Sequence, residues 1–128
     1  MKIGINCGHT ISGPGYGAVG IIKESEHTRR IGNALRDQLK AAGIETVDCT
    51  IDRADTQREY LQMATALANR EDLDWFISIH FNASPGHLGQ GVEIYTYEGR
   101  QYEEAVNILS NFEKFGLKNL GVIKGKGL

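Results

Sequence analysis

Residues 74–84 read DWFISIHFNAS. The run through Trp75, Phe76, Ile77 and Ile79 is short, aromatic and β-branched, and predicts a strand over residues 74–81. No other strand candidate is as apolar, which suits a central parallel strand covered on both faces. His80 stands at its end. Residues 1–9, MKIGINCGH, repeat the arrangement, with a strand over Lys2–Asn6 followed by His9. Long helical segments separate the runs, as crossovers between parallel strands require. The predicted class is α/β, a twisted and mostly parallel sheet flanked by helices, with an antiparallel or edge strand.

Working outward, the first strand runs into a glycine-rich loop, Gly8–Gly20, carrying Pro14 and further glycines at 13, 15 and 17. From Glu24 to Ala42, the residues Ile31, Ala34, Leu35, Leu39 and Ala42 recur at helical spacing, and Gly43 supplies a stop. Ile44–Cys49 reads as a second strand. Arg53–Asn69 reads as a second helix with Tyr60, Leu61, Ala64, Leu67 and Ala68 on one face and Asp52 as its N-cap. After a polar loop, Asn82–Gln90, comes a strand over Val92–Tyr97. Its connection to the preceding strand is too short for a parallel crossover, which makes it antiparallel or an edge. Gln101–Phe115 predicts a third helix through Tyr102, Ala105, Val106, Leu109 and Phe112. The tail GLKNLGVIKGKGL shows no clear periodicity and ends as though another strand should follow, as in a truncated domain.

The 128 residues suit one domain, with 14 basic against 16 acidic residues and a formal net charge of −2. No basic run is dense enough for a nucleic-acid or anionic-membrane surface, so small polar or neutral partners are favoured. No stretch approaches the roughly 20 apolar residues of a membrane span, and MKIGINCGH lacks the regions of a secretory signal. That leaves a cytoplasmic product, a phage product released at lysis, or a module of a secreted parent. Cys7 and Cys49 each close a strand and are expected to pack as free buried thiols.

Two imidazoles and a carboxylate are the ligand set of a catalytic zinc site, and three protein ligands leave a fourth position open. In open parallel sheets, sites gather at the carboxyl ends of the strands. His9 and His80 meet there if their strands are neighbours, and Glu24 opens the helix between them. Glu26 rivals Glu24, and either is also favoured in a first helical turn by the helix dipole. His27, on a charged helix face, and His87, in a polar loop, are expected to face solvent. Cys7 should be turned away from the site by strand alternation. A phosphate-binding loop is the other reading of His9 and its glycines, but there is no G-x-x-x-x-G-K-[ST] and no dinucleotide fingerprint.

In INCGHT, in the glutamate of GIIKESEHTRRIGNALRDQLKAAG, in FISIHFNAS and in GVEIYTY, the chain resembles the zinc-dependent N-acetylmuramoyl-L-alanine amidases of the amidase-3 type, which include bacterial cell-wall hydrolases (autolysins) and phage endolysin catalytic domains. The most specific piece is S-I-H-x-N-A. The resemblance implies an amidase catalytic domain over residues 1–128, with zinc held by His9, Glu24 and His80. Counting back from Gly43 selects Glu24 over Glu26. Asn82 matches the motif asparagine as a substrate contact or a loop-shaping side chain, and Thr10 departs from the common Gly-His-Gly.

The implied reaction is hydrolysis of the amide between N-acetylmuramic acid and L-alanine of peptidoglycan, by a monomer acting at the bacterial cell wall, with zinc activating water and polarising the carbonyl. Family members carry a second glutamate as general base in a later strand, followed by a final helix. That base has no counterpart before Leu128, and Glu93 is the nearest substitute. The fragment is therefore expected to be weakly active or inactive. The alternative reading is a non-catalytic peptidoglycan-binding or regulatory module of the same fold.

Overall fold

A computed structural model describes residues 1–125, with the side chain of His87 outside that description. The chain forms two compact units, Met1–Ala83 and a second beginning at Ser84. In the first, β1 (Lys2–Cys7), α1 (Glu24–Ala41), β2 (Glu45–Asp48), α2 (Gln57–Arg70) and β3 (Trp75–Ile79) follow in order. Their strands make a parallel sheet in the order β2-β1-β3, with Ile3 beside both Thr46 and Trp75.

The central strand of this sheet is β1, not β3 as its apolarity had suggested. Residues Ile3 through Cys7 are all buried, whereas Phe76 in β3 is 44% exposed. The centrality of β1 is masked in the sequence by Gly4 and Asn6. A Cβ on Gly4 would stand 2.5 Å from Leu73 Cδ1, so the missing side chain is the space Leu73 fills.

From β1 the chain steps one way to β2, then crosses back to β3 on the other side. The gap beyond the carboxyl ends of β1 and β3 is thus a topological switch point, where ligands of open α/β sheets bind. Alternation along β1 divides its neighbours. Ile5 and Cys7 meet α1 at Gly32, where a Cβ would lie 2.4 Å from Cys7 Sγ. Asn6 points the other way, to Tyr60 of α2. Both cysteines are free and buried, as expected.

The face α1 buries is not the apolar stripe read from its sequence. Glu24, Ser25, Thr28 and Gly32 are buried, and Ile31 is 48% exposed. The amino-terminal half of this helix packs on loop backbone that needs polar partners, and Thr28 Oγ1 donates to Gly8 O at 3.0 Å. Gly43, at φ 78°, ends the helix as expected, with Gly43 N–H donating to Lys40 O and Ile44 N–H to Leu39 O. Helix α2 starts at Gln57, and its cap is Thr56, whose side chain accepts from Glu59 N–H at 3.0 Å. Asp52, the expected cap, instead takes the Arg29 guanidinium at 2.7 Å.

In the second unit, β4 (Val92–Thr96), α3 (Glu103–Lys114) and β5 (Asn119–Lys124) form a β-α-β unit with parallel strands. Strand β4 was expected to be antiparallel or an edge: its pairing is parallel, and in this two-stranded sheet it is an edge. The short link from β3 does bar a parallel crossover between those two strands, but the partner of β4 is the later β5, reached through α3. That strand lies in the tail where no element was legible. Leu120 is an extra residue opposite the Val92–Glu93 step, and Gly121 takes φ 93°, so a bulge breaks the alternation that marks a strand. Among the described residues, no helix is long and apolar enough to cross a membrane.

Asp48 closes β2 beside Arg36. Burial pushes its carboxyl up, but hydrogen bonds from Arg36 and Thr50 outweigh this and hold it below the usual carboxylate range. A depressed folded pKa stabilises above the ordinary carboxylate pKa, and the gain is lost as pH falls through the depressed value. Arg36→Met should therefore destabilise at neutral pH by up to about 1 kcal/mol for this half-exposed pair. Urea melts of both proteins should converge in acid, and a constant gap across pH would contradict the assignment.

Candidate metal centre

The end of β1 and the end of β3 each deliver one imidazole to the switch point. Gly8 N–H carries the ladder one step further, donating to Ile79 O at 2.9 Å, and His9 and His80 follow directly. His9 takes a left-handed backbone, φ 68°, uncommon outside glycine and found at functional sites when the surroundings enforce it. Here Arg29 Nη2 donates to His9 O at 3.0 Å and His9 N–H donates to Tyr60 Oη at 2.9 Å.

Glu24, the first residue of α1, is buried between the imidazoles. Its Oε1 lies 3.3 Å from His9 Nε2 and 3.2 Å from His80 Nδ1. Each residue offers one ligand atom, and the three atoms lie within 4.8 Å of one another. The carboxylate is held from both sides, Oε2 accepting from Ala18 N–H and Oε1 from Phe81 N–H, each at 2.9 Å. Burial raises the Glu24 pKa, but these backbone donors and the imidazoles reverse the shift and hold it below the usual carboxylate range. Burial, then the neighbouring His9, lowers the His80 pKa against the pull of Glu24, favouring the neutral ring that a metal requires.

His9 Nδ1 faces Gly15 O at 3.1 Å. A carbonyl only accepts, so Nδ1 carries the proton and Nε2 turns a lone pair toward Glu24. Ligand atoms around a tetrahedral zinc stand about 3.3–3.5 Å apart, from bonds of about 2.0–2.2 Å. The two imidazole-to-carboxylate separations fit that spacing, and the donor set of two nitrogens and one oxygen fits zinc. Among the described residues, this is the one cluster of three such side chains.

The glycine-rich loop closes over the site. A Cβ on Gly17 would stand 2.8 Å from Glu24 Oε2 and 2.9 Å from His9 Cδ2, so a side chain there would press on two of the three residues. Thr10, which replaces the common second glycine, is fully buried and donates to Ser12 O at 3.0 Å.

The remaining candidates lie elsewhere. Glu26 is exposed and pairs with Lys23 at 3.1 Å. Cys7 packs against α1, as alternation had implied. His27, expected to face solvent, is half-buried, with its ring edge-on to Phe81 at 6.0 Å. The expectation for His87 falls on a side chain outside the described residues. Asn82 is exposed two residues beyond His80. Glu93 belongs to β4 in the second unit, where its Oε1 accepts from Tyr95 Oη at 2.8 Å. Sequence reasoning passed over Asn6, Tyr60, Ser78 and Arg29, all of which bond to the histidines or to each other; only Ser78, inside S-I-H-x-N-A, carried a signal.

The sequence profile of the N-acetylmuramoyl-L-alanine amidase family, Amidase_3, matches residues 3–125. An uncharacterized protein of Clostridium perfringens (strain 13 / Type A) is 37% identical over 95% of the chain, which spans 37% of that protein. The N-acetylmuramoyl-L-alanine amidase CwlM of Bacillus licheniformis is 31% identical over 85% of the chain, across 45% of its own length. Among solved structures, the N-acetylmuramoyl-L-alanine amidase AmiC2 of Nostoc punctiforme superposes with a TM-score of 0.78 at 25% identity, covering 98% of this chain and 69% of that one. The chain thus spans less than half the length of these curated relatives.

Proposed function

Because the chain belongs to the N-acetylmuramoyl-L-alanine amidase family, we propose that residues 1–128 lie within a catalytic domain that hydrolyses the amide between N-acetylmuramic acid and L-alanine at the bacterial cell wall. In this reading His9 Nε2, Glu24 and His80 Nδ1 hold a zinc ion, and the domain acts as a monomer on peptidoglycan. The observation that carries it is the convergence of two imidazole nitrogens on one buried carboxylate at the switch point.

Bound there, zinc supplies Lewis-acid polarisation of an amide carbonyl and a water nucleophile at neutral pH. The protein's part is charge and access. One carboxylate and two neutral rings leave a net positive centre to face a carbonyl oxygen. Glu24 is kept ionised by two backbone donors, without reorganisation during the reaction. The His80 side chain is 43% exposed against 22% for His9 and 6% for Glu24, so substrate approaches from the His80 side, where Asn82 lies exposed. This reading assigns no role to Glu93, whose carboxylate accepts from the Tyr95 hydroxyl within β4.

Digestion of purified peptidoglycan with the zinc-loaded chain, followed by mass spectrometry, tests the reading. The expected products are a free lactyl carboxylate on muramic acid and a peptide with a new L-alanine amino terminus. Because the family's general base has no counterpart among residues 1–128, slow turnover by this chain agrees with the reading. A longer chain that includes the second glutamate, binds zinc, sediments with peptidoglycan and still leaves it intact would overturn hydrolysis in favour of a non-catalytic binding module.

A further inference from the structure

The two imidazoles are joined by polar groups that the metal reading does not use, Asn6 and Tyr60 buried and Ser78 exposed. Asn6 and Tyr60 are 2% and 3% exposed. Asn6 Nδ2 donates to Cys49 O at 2.8 Å, which fixes the amide so that Oδ1 faces the site. That oxygen accepts from Tyr60 Oη at 3.3 Å and from Ser78 Oγ at 2.8 Å. Tyr60 Oη in turn accepts from His9 N–H at 2.9 Å, and Ser78 Oγ lies 3.1 Å from His80 Nε2.

The protons in this chain can be counted. An amide oxygen has none to give, so both hydroxyls donate to Asn6. Each hydroxyl has a single proton, and Ser78 Oγ can then only accept from His80. His80 Nε2 therefore needs a proton to meet Ser78, while Glu24 Oε1, 3.2 Å from His80 Nδ1, also only accepts and competes for the one proton of the neutral ring. The relay favours the Nε2 form, which leaves Nδ1 its lone pair for a metal. By the same count, Tyr60 must accept the His9 amide proton that the left-handed turn at His9 presents.

We propose that Asn6, acting through Ser78 and Tyr60, is a positioning residue for both histidines: it fixes His80 in the form protonated at Nε2 and anchors the backbone turn that aims His9. The inference rests on the zinc reading for its consequence but not for its geometry. Groups that hydrogen-bond to a metal-bound histidine set its ring and tautomer, and their loss weakens metal binding by about 10–100-fold. No one element builds this device, since Asn6 comes from β1, Tyr60 from α2 and Ser78 from β3.

The test uses Ser78→Ala, Ser78→Thr and Tyr60→Phe, which leave the buried amide in place. Two-bond proton–nitrogen NMR on the metal-free chain, above the ordinary imidazole pKa, reports which ring nitrogen holds the proton. Wild type should show His80 protonated at Nε2. Ser78→Ala should populate the Nδ1-protonated form and weaken zinc binding by about 10–100-fold, and Ser78→Thr should restore both. Tyr60→Phe should leave the His80 tautomer alone while weakening zinc. A wild-type His80 protonated at Nδ1, or an unchanged tautomer in Ser78→Ala, would overturn the proposal. If wild type bound no zinc, the metal reading would fail by itself, and the tautomer measurement would still decide the relay.

Discussion

Glu24→Gln is expected to abolish tight zinc binding and also to destabilise the metal-free chain. The change keeps shape and removes charge, so its effects separate packing from electrostatics. Glu24 accepts two backbone protons, from Ala18 on Oε2 and from Phe81 on Oε1, while Oε1 also faces both imidazoles. A glutamine has one acceptor oxygen. Whichever way its amide turns, an NH2 faces one of those backbone donors, and leaving a buried donor unmatched costs about 1–3 kcal/mol. Urea denaturation in chelator should register that loss, and competition titration should show zinc no longer held. A variant with unchanged stability and unchanged zinc affinity would place the essential carboxylate elsewhere.

Gly8→Ala is expected to damage both the fold and the site, although Gly8 offers no side chain to either. A Cβ there would lie 2.6 Å from Ile79 O, which is backbone of the paired strand, and 2.4 and 2.6 Å from His80 Cε1 and Nε2. The Gly8–Ile79 hydrogen bond must open or His80 must leave its place. Overpacking of this kind typically costs about 1–3 kcal/mol. If about 1.4 kcal/mol of it falls on the ligand geometry, zinc weakens tenfold. Thermal melts with and without zinc should show a lower midpoint and a smaller metal-induced rise than wild type; wild-type behaviour in both would mean the strand ends are looser than described.

Much of this site was legible because its chemistry is local in sequence. An apolar run that ends in a histidine needs only its own residues to be read, and the carboxyl-end rule then brings His9 and His80 to one edge. Glu24 was recognisable as the residue opening a helix; spacing alone left Glu26 as a rival, the resemblance selected Glu24, and the structure buries Glu24 while Glu26 is exposed. The supporting residues were not legible. Tyr60 reaches Asn6 across 54 positions and Ser78 reaches it across 72, pairings that exist only once β1, α2 and β3 have assembled.

The misreadings have similar causes. Aromatic content made β3 look central, whereas close approach through Gly4 makes β1 so. Strand β5 was hidden by the bulge at Leu120 and the positive φ of Gly121. Asp52 looked like a cap until Arg29 claimed it, while Thr56 and Glu59 carried the T-x-x-E signature of a helix start in plain view.

The central claim is that three side chains at the switch point hold one zinc. Elemental analysis of the dialysed chain, beside His9→Ala, Glu24→Ala and His80→Ala, tests it most directly. The account predicts one zinc per wild-type chain and a loss of stoichiometric metal in each variant. A folded wild-type chain that retains no zinc, or variants that keep it in full, would contradict the account.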